Sequence, residues 1–133
     1  MAFLQFMKKI IFTVAIFCSA TALAQDQVIT DVSAALKASS SKELIKYCGS
    51  KIEITIDGSN NTYSKPQAEA ILRDFFQKNV AENFTIIHQG SSPEGLKYAI
   101  GKFALKQGSY RVVMFLKKGD SDFEIDRITF SKE

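Results

Sequence analysis

The stretch from Ser64 to Asn79, SKPQAEAILRDFFQKN, constrains the chain most, because it holds a strong helix with two adjacent phenylalanines. Ser64 is a suitable N-cap, Gln67 three residues on completes a capping box, and Pro66 falls in the first turn, where a missing N–H costs nothing. Ala68, Ile71, Leu72, Phe75 and Phe76 recur at three- and four-residue spacing and form one apolar stripe. Arg73, Asp74, Gln77 and Lys78 occupy the other side, and Asn79 is a stop. A stripe bearing Phe75 and Phe76 needs a wide apolar surface to cover it. The segments downstream supply one.

After Asn79 the period changes to two. Asn83–Gln89 places Phe84, Ile86 and His88 on one face. Gly90–Gly95 is a loop. Leu96–Gln107 alternates through Leu96, Tyr98 and Ile100, then Phe103 and Leu105, a parity switch that predicts a bulge at Gly101-Lys102. Tyr110–Lys117 is continuously apolar through Val112–Leu116, which predicts a central strand covered on both faces. Asp122–Ser131 switches parity at Asp126-Arg127, predicting a second bulge. Bulges bend strands, so the sheet is expected to curve.

Upstream, Ile52, Ile54 and Ile56 alternate with polar residues in a half-buried strand over Lys51–Asp57. Asp57–Asn61 is turn chemistry, and Thr62-Tyr63 is a brief return strand. Two short helices precede it. Asp26–Lys37 carries Val28, Val32, Ala35 and Leu36 on one side; Ser40 caps the second, which runs through Cys48 and exits at Gly49 in a left-handed turn.

Residues 1–24 read as a signal peptide: Lys8 and Lys9, an apolar run from Ile10 to Cys18, and Ala22-Leu23-Ala24. The run is short of the roughly 20 residues of a membrane span. Cleavage after Ala24 implies export to the periplasm or extracellular space, with no stable membrane insertion afterwards. It leaves 109 of the 133 residues, 25–133, as a single domain. Two lysines leave with it, so 15 Lys and Arg face 14 acids, and no basic patch argues for nucleic acid. Cys48 is then the lone thiol, read as buried beside Leu44, Ile45 and Tyr47.

Three stretches carry a resemblance: TYSKPQAEAILRDFFQKN at 62–79, FTIIHQGSSPEGLKYAIGKF at 84–103 and YRVVMFLKK at 110–118. In element order the chain resembles the nuclear-transport-factor-2-like superfamily. More closely it is similar to a bacterial domain-of-unknown-function family numbered 4783, of small exported proteins. The resemblance implies an α+β, cone-shaped (cystatin-like) fold. Three N-terminal helices and a strongly curved antiparallel sheet, wrapped on the third helix, are expected. It carries over no active site.

Superfamily enzymes such as ketosteroid isomerases and polyketide cyclases use a carboxylate base and a Tyr–acid pair in an apolar cone. Here the match fails: the first helix has no Tyr, and the acids lie on polar faces or in turns, Asp126 alone being ambiguous. No catalytic residue, metal set or cofactor is assigned; one His, one Cys and scattered carboxylates give no ligand spacing. His88, beside Phe84 and Ile86, reads first as a core-edge residue bonded to backbone or a tyrosine, and second as a base at a cone mouth. Tyr63, Phe76, His88 and Tyr98 are the candidate pocket-lining residues. The leading functional reading is a non-catalytic module binding a small ligand or a protein. The alternatives are an apolar-ligand enzyme using the cone cavity with His88 as base, or a scaffold self-associating through the sheet as a homodimer.

Overall fold

The structure is a computed structural model that describes residues 27–133. The signal-peptide reading of residues 1–24 lies outside the described residues. Helix α1 occupies 27–37, and Val28, Val32, Ala35 and Leu36 are buried along it as their spacing predicts. It ends in a Schellman-type turn. Ser39 takes the left-handed conformation (φ 51°), and Ser39 N–H and Ser40 N–H donate to the carbonyls of Leu36 and Ala35, each at 3.0 Å.

Helix α2 is Ser41–Ile45, shorter than expected. Its Ser40 cap is formed, Oγ accepting from Glu43 N–H at 3.2 Å, but the chain leaves the helix before Cys48. The sheet claims that backbone: Ile125 N–H donates to Tyr47 O at 2.7 Å, and Cys48 begins strand β1, Cys48–Ile56, opposite Ile125. Gly49 is therefore a strand residue, not a left-handed exit.

Strand β2 (Ser59–Ser64) returns against β1 through a turn at Asp57 (φ 48°) and Gly58 (φ 86°). Helix α3 follows, Lys65–Lys78, with the Gln67 Oε1 atom accepting from Ser64 N–H at 3.2 Å. Strands β3 (Asn83–Ser91), β4 (Lys97–Ala104), β5 (Ser109–Lys118) and β6 (Phe123–Lys132) complete a curved six-stranded sheet of order β2-β1-β6-β5-β4-β3. The sheet is mixed, which corrects the antiparallel expectation. β1 runs parallel to β6, and all other neighbours are antiparallel.

One face of the sheet holds α3. Ala68, Leu72, Phe75 and Phe76 are buried on the helix, with Ile71 half-buried against the core. The sheet contributes Ile52, Ile54, Tyr110, Val112, Met114, Leu116, Phe103, Ile128 and Phe130. The Phe75 ring lies 4.5 Å from Phe130, 5.2 Å from Tyr110 and 6.1 Å from Phe103, centroid to centroid, while Phe76 lies 5.8 Å from Phe103. These tilted and edge-on contacts fill the space between α3 and the sheet.

The bulge expected at Asp126-Arg127 is present. Phe115 pairs with Arg127 and Leu116 with Ile125, leaving Asp126 as the extra residue. The one expected at Gly101-Lys102 is not. β4 pairs with β5 without a shift, and Ala99, Gly101 and Phe103 all face the core. Gly101 is small because a Cβ there would strike the Phe84 ring. The bulge lies instead in β3, where Ile86 pairs with Gly101 and His88 with Ile100, so that Ile87 is extra and 61% exposed. The central strand β5 is covered on one face alone, since Val113 and Phe115 on the other remain partly exposed.

Cys48 is buried as expected, its thiol donating to Leu44 O at 3.5 Å. Burial pushes the thiol from 9.0 up to about 12. The folded state therefore keeps this proton while the unfolded chain loses it. The associated stability is complete below pH 9 and is lost as pH rises toward about 12. Tyr110, raised by burial and then by Asp57, acts in the same direction at higher pH. Denaturant melts from pH 8 to 11 should show a steeper alkaline loss for the native sequence than for Cys48→Ala, by up to about 1.4 kcal/mol per pH unit. Equal slopes would contradict this.

Candidate functional site

The four residues singled out from the sequence do not converge. Phe76 is a core residue of α3, 3% exposed, which leaves its edge to wall a cleft beside Val80. Tyr63 sits on β2 opposite Ile52, half-buried against the core. His88 and Tyr98 lie on β3 and β4, at the far edge of the sheet from β2.

His88 and Tyr98 do meet. The His88 Nε2 atom is 3.0 Å from the Tyr98 hydroxyl, with ring centroids 5.6 Å apart. They meet on the outer face, away from α3. The Ile87 bulge inverts the alternation, so His88 leaves the face of Phe84 and Ile86 and joins that of Ile100. Gly90, opposite Tyr98, makes the contact feasible: a Cβ there would lie 2.7 Å from the Tyr98 oxygen and 2.9 Å from its Cζ. Tyr98 thus lies across an edge-strand glycine, covering backbone that a side chain would otherwise shield.

The pair belongs to two cross-strand rows. Tyr98, Phe115, Arg127 and Glu53 stand opposite one another on β4, β5, β6 and β1. The Arg127 guanidinium carbon lies 5.5 Å from the Phe115 ring centre, and its Nε is 3.3 Å from Glu53 Oε2. Asn60 Nδ2 donates to Glu53 Oε1 at 2.7 Å, extending the row to β2. The next row is His88, Ile100, Val113, Thr129 and Thr55. On the core side of the sheet's end, Lys97, opposite Leu116, has its Nζ 5.4 Å from the ring centre of Phe123, which packs against the core. Tyr98, Ile100, Val113 and Phe115 are all partly exposed, so an apolar patch occupies the face that alternation normally makes polar.

His88 is exposed and its partner is a phenol, so no carboxylate orients the imidazole. Asp57, read as a plain turn residue, ties three strands together: Lys132 N–H donates to Oδ1 at 3.0 Å and the Tyr110 hydroxyl to Oδ2 at 3.3 Å. That Tyr–acid pair commits the phenolic proton to Asp57, so it is a staple between the β1–β2 turn and the sheet. Asp126, the one ambiguous acid, accepts from Lys117 Nζ at 2.9 Å on the bulge. Among the described residues no three His, Cys, Asp or Glu side chains gather to hold a metal.

The outward patch was missed at the sequence level. Its signal is the unbroken apolar run Val112–Leu116, whose alternate members must face away from α3 unless a second layer exists.

A family model described as a domain of unknown function (DUF4783) matches residues 29–131. Among solved structures, a DUF4783 family protein from Bacteroides ovatus is 36% identical with a TM-score of 0.73, over 77% of this chain and 93% of that one. One from Bacteroides uniformis is 29% identical, also at 0.73, over 78% and 95%. At the level of the fold alone, an NTF2-like protein of unknown function from Shewanella baltica shares 9% identity at a TM-score of 0.65, over 86% and 95%. No protein with a curated description matches the chain.

The Tyr98–Gly90 contact is open to test. Gly90→Ala should displace the Tyr98 ring, break its bond to His88 and cost about 1 kcal/mol. NMR resonances of the His88 ring report the loss; resonances that stay in place would contradict the assigned geometry.

Proposed function

The chain belongs to the DUF4783 family of domains of unknown function, and from that premise we propose that it is an exported, non-catalytic interaction module working through the outer face of its sheet. The observation that carries this reading is the patch formed by Tyr98, Ile100, Val113 and Phe115, partly exposed on adjacent central strands. Protein interfaces have this anatomy: an apolar, aromatic centre with charged groups at the rim. Arg127, Arg111, Lys102 and Lys117 surround the patch on the same face.

The enzyme reading finds little support. Phe75, Phe76, Phe103 and Phe130 pack with centroids 4.5–6.3 Å apart in the space that the enzyme reading needs as a cavity. Export rests on the Lys8-Lys9, apolar-run and Ala-x-Ala pattern alone. Material from the native host that retains Met1 would count against it.

A second copy is the simplest partner, since a sheet face can meet itself across a twofold axis. Sedimentation of the purified protein tests this. The native sequence should associate to a dimer with rising concentration. Val113→Glu, which puts a carboxylate at the centre of the patch, should stay monomeric with its circular dichroism unchanged. A native chain that is monomeric throughout, or a Val113→Glu dimer of equal strength, would overturn the self-association.

A further inference from the structure

The core face of the sheet ends on a charge. In β6 Ile128 and Phe130 face the core, and Lys132 is the next residue of the same alternation. Across the sheet the row runs Phe84, Phe103, Tyr110, Lys132: three buried aromatics, then an exposed ammonium at the rim. Beyond the last turn of α3 this rim borders a groove of about 580 Å³, between residues 78–82, the β4–β5 turn and Lys132. Its volume is within the range of small-ligand sites, roughly 300–1,000 Å³.

The lining has two characters. Ala81 and Leu105 pack against the core and form an apolar floor, and Val80 stands beside them 64% exposed. Val80 also walls a second cleft of about 300 Å³, shared with Phe76 and Ala38 and with the polar Ser39, Ser41, Arg73 and Gln77. Around this floor stand Lys78, Lys106 and Lys132 against one carboxylate, Glu82. Lys78 is engaged by Asp74 at 3.3 Å, whereas Lys106 and Lys132 form no ion pair among the described residues.

We infer that this groove binds a carboxylate amphiphile, its anionic head between Lys106 and Lys132 and its single alkyl chain along Leu105, Ala81 and Val80. A small inorganic anion would satisfy the ammonium groups and leave the apolar floor wet. A neutral hydrocarbon would cover the floor and leave both charges unpaired. An alkyl carboxylate does both. The groove opens at the end of the core face, and the outer-face patch lies on the opposite side of the sheet, so each reading stands or fails alone.

The test is an NMR titration of the purified protein with octanoate below its micellar concentration, with octanol and octyltrimethylammonium as controls. Octanoate should shift the amides of Val80, Ala81 and Leu105. Lys106→Gln/Lys132→Gln, both surface changes with folding checked by thermal melting, should weaken it by about tenfold or more. Octanol should bind more weakly than octanoate, and the cationic chain should not bind. The proposal is overturned if octanoate leaves those amides unmoved, if octanol or the cation binds equally well, or if the double variant binds octanoate as the native sequence does.

Discussion

Phe75 and Phe76 are consecutive residues of one helix, so their side chains leave its axis about 100° apart, yet both are buried. A flat sheet touches a helix along one narrow line and cannot cover two directions so far apart. The cover must bend around the helix. Here it does: Phe103 of β4 and Phe130 of β6 meet both phenylalanines, and Tyr110 of β5 meets Phe75. Extra residues that permit local bending include Ile87 in β3 and Asp126 in β6, and β1 shifts register against β6 between Cys48 and Glu53. Gly101 removes the side chain that would collide with Phe84 on the inside of the curve.

That arrangement was legible in the sequence to the extent that it is local. The α3 cap and stripe, the alternation of β1, the Asp126 bulge and the family resemblance all follow from residues near one another in the chain. The misreadings share a cause. The parallel pairing of β1 with β6 joins segments some 70 residues apart and leaves no local trace; it also pulls Cys48 and Gly49 out of α2. The bulge at Ile87 is unmarked by glycine or proline, and one extra residue moves every later side chain to the other face. Plain alternation therefore aims His88 inward, whereas in the fold it stands on the outer face opposite Ile100.

The site was less legible than the fold for the same reason. The sequence singles out His88 and Tyr98 as pocket-lining residues, but they meet on an outer surface. The interior is given over to packing: its polar edge is a Tyr110–Asp57 staple, and its volume is occupied by phenylalanine rings. What remains available for recognition lies at the margins of the core, on the outer face of β4 and β5 and at the rim beyond α3. Both places carry apolar groups that the alternation of a solvated strand, or the polar end of a helix, would not predict.

The α3 phenylalanines hold the sheet in its curve. Chemical denaturation of Phe75→Ala and Phe76→Ala tests this directly. Each truncation removes a ring packed against several others, so each should cost about 3–5 kcal/mol. A loss below about 1 kcal/mol at both positions would mean that the sheet holds its shape without them.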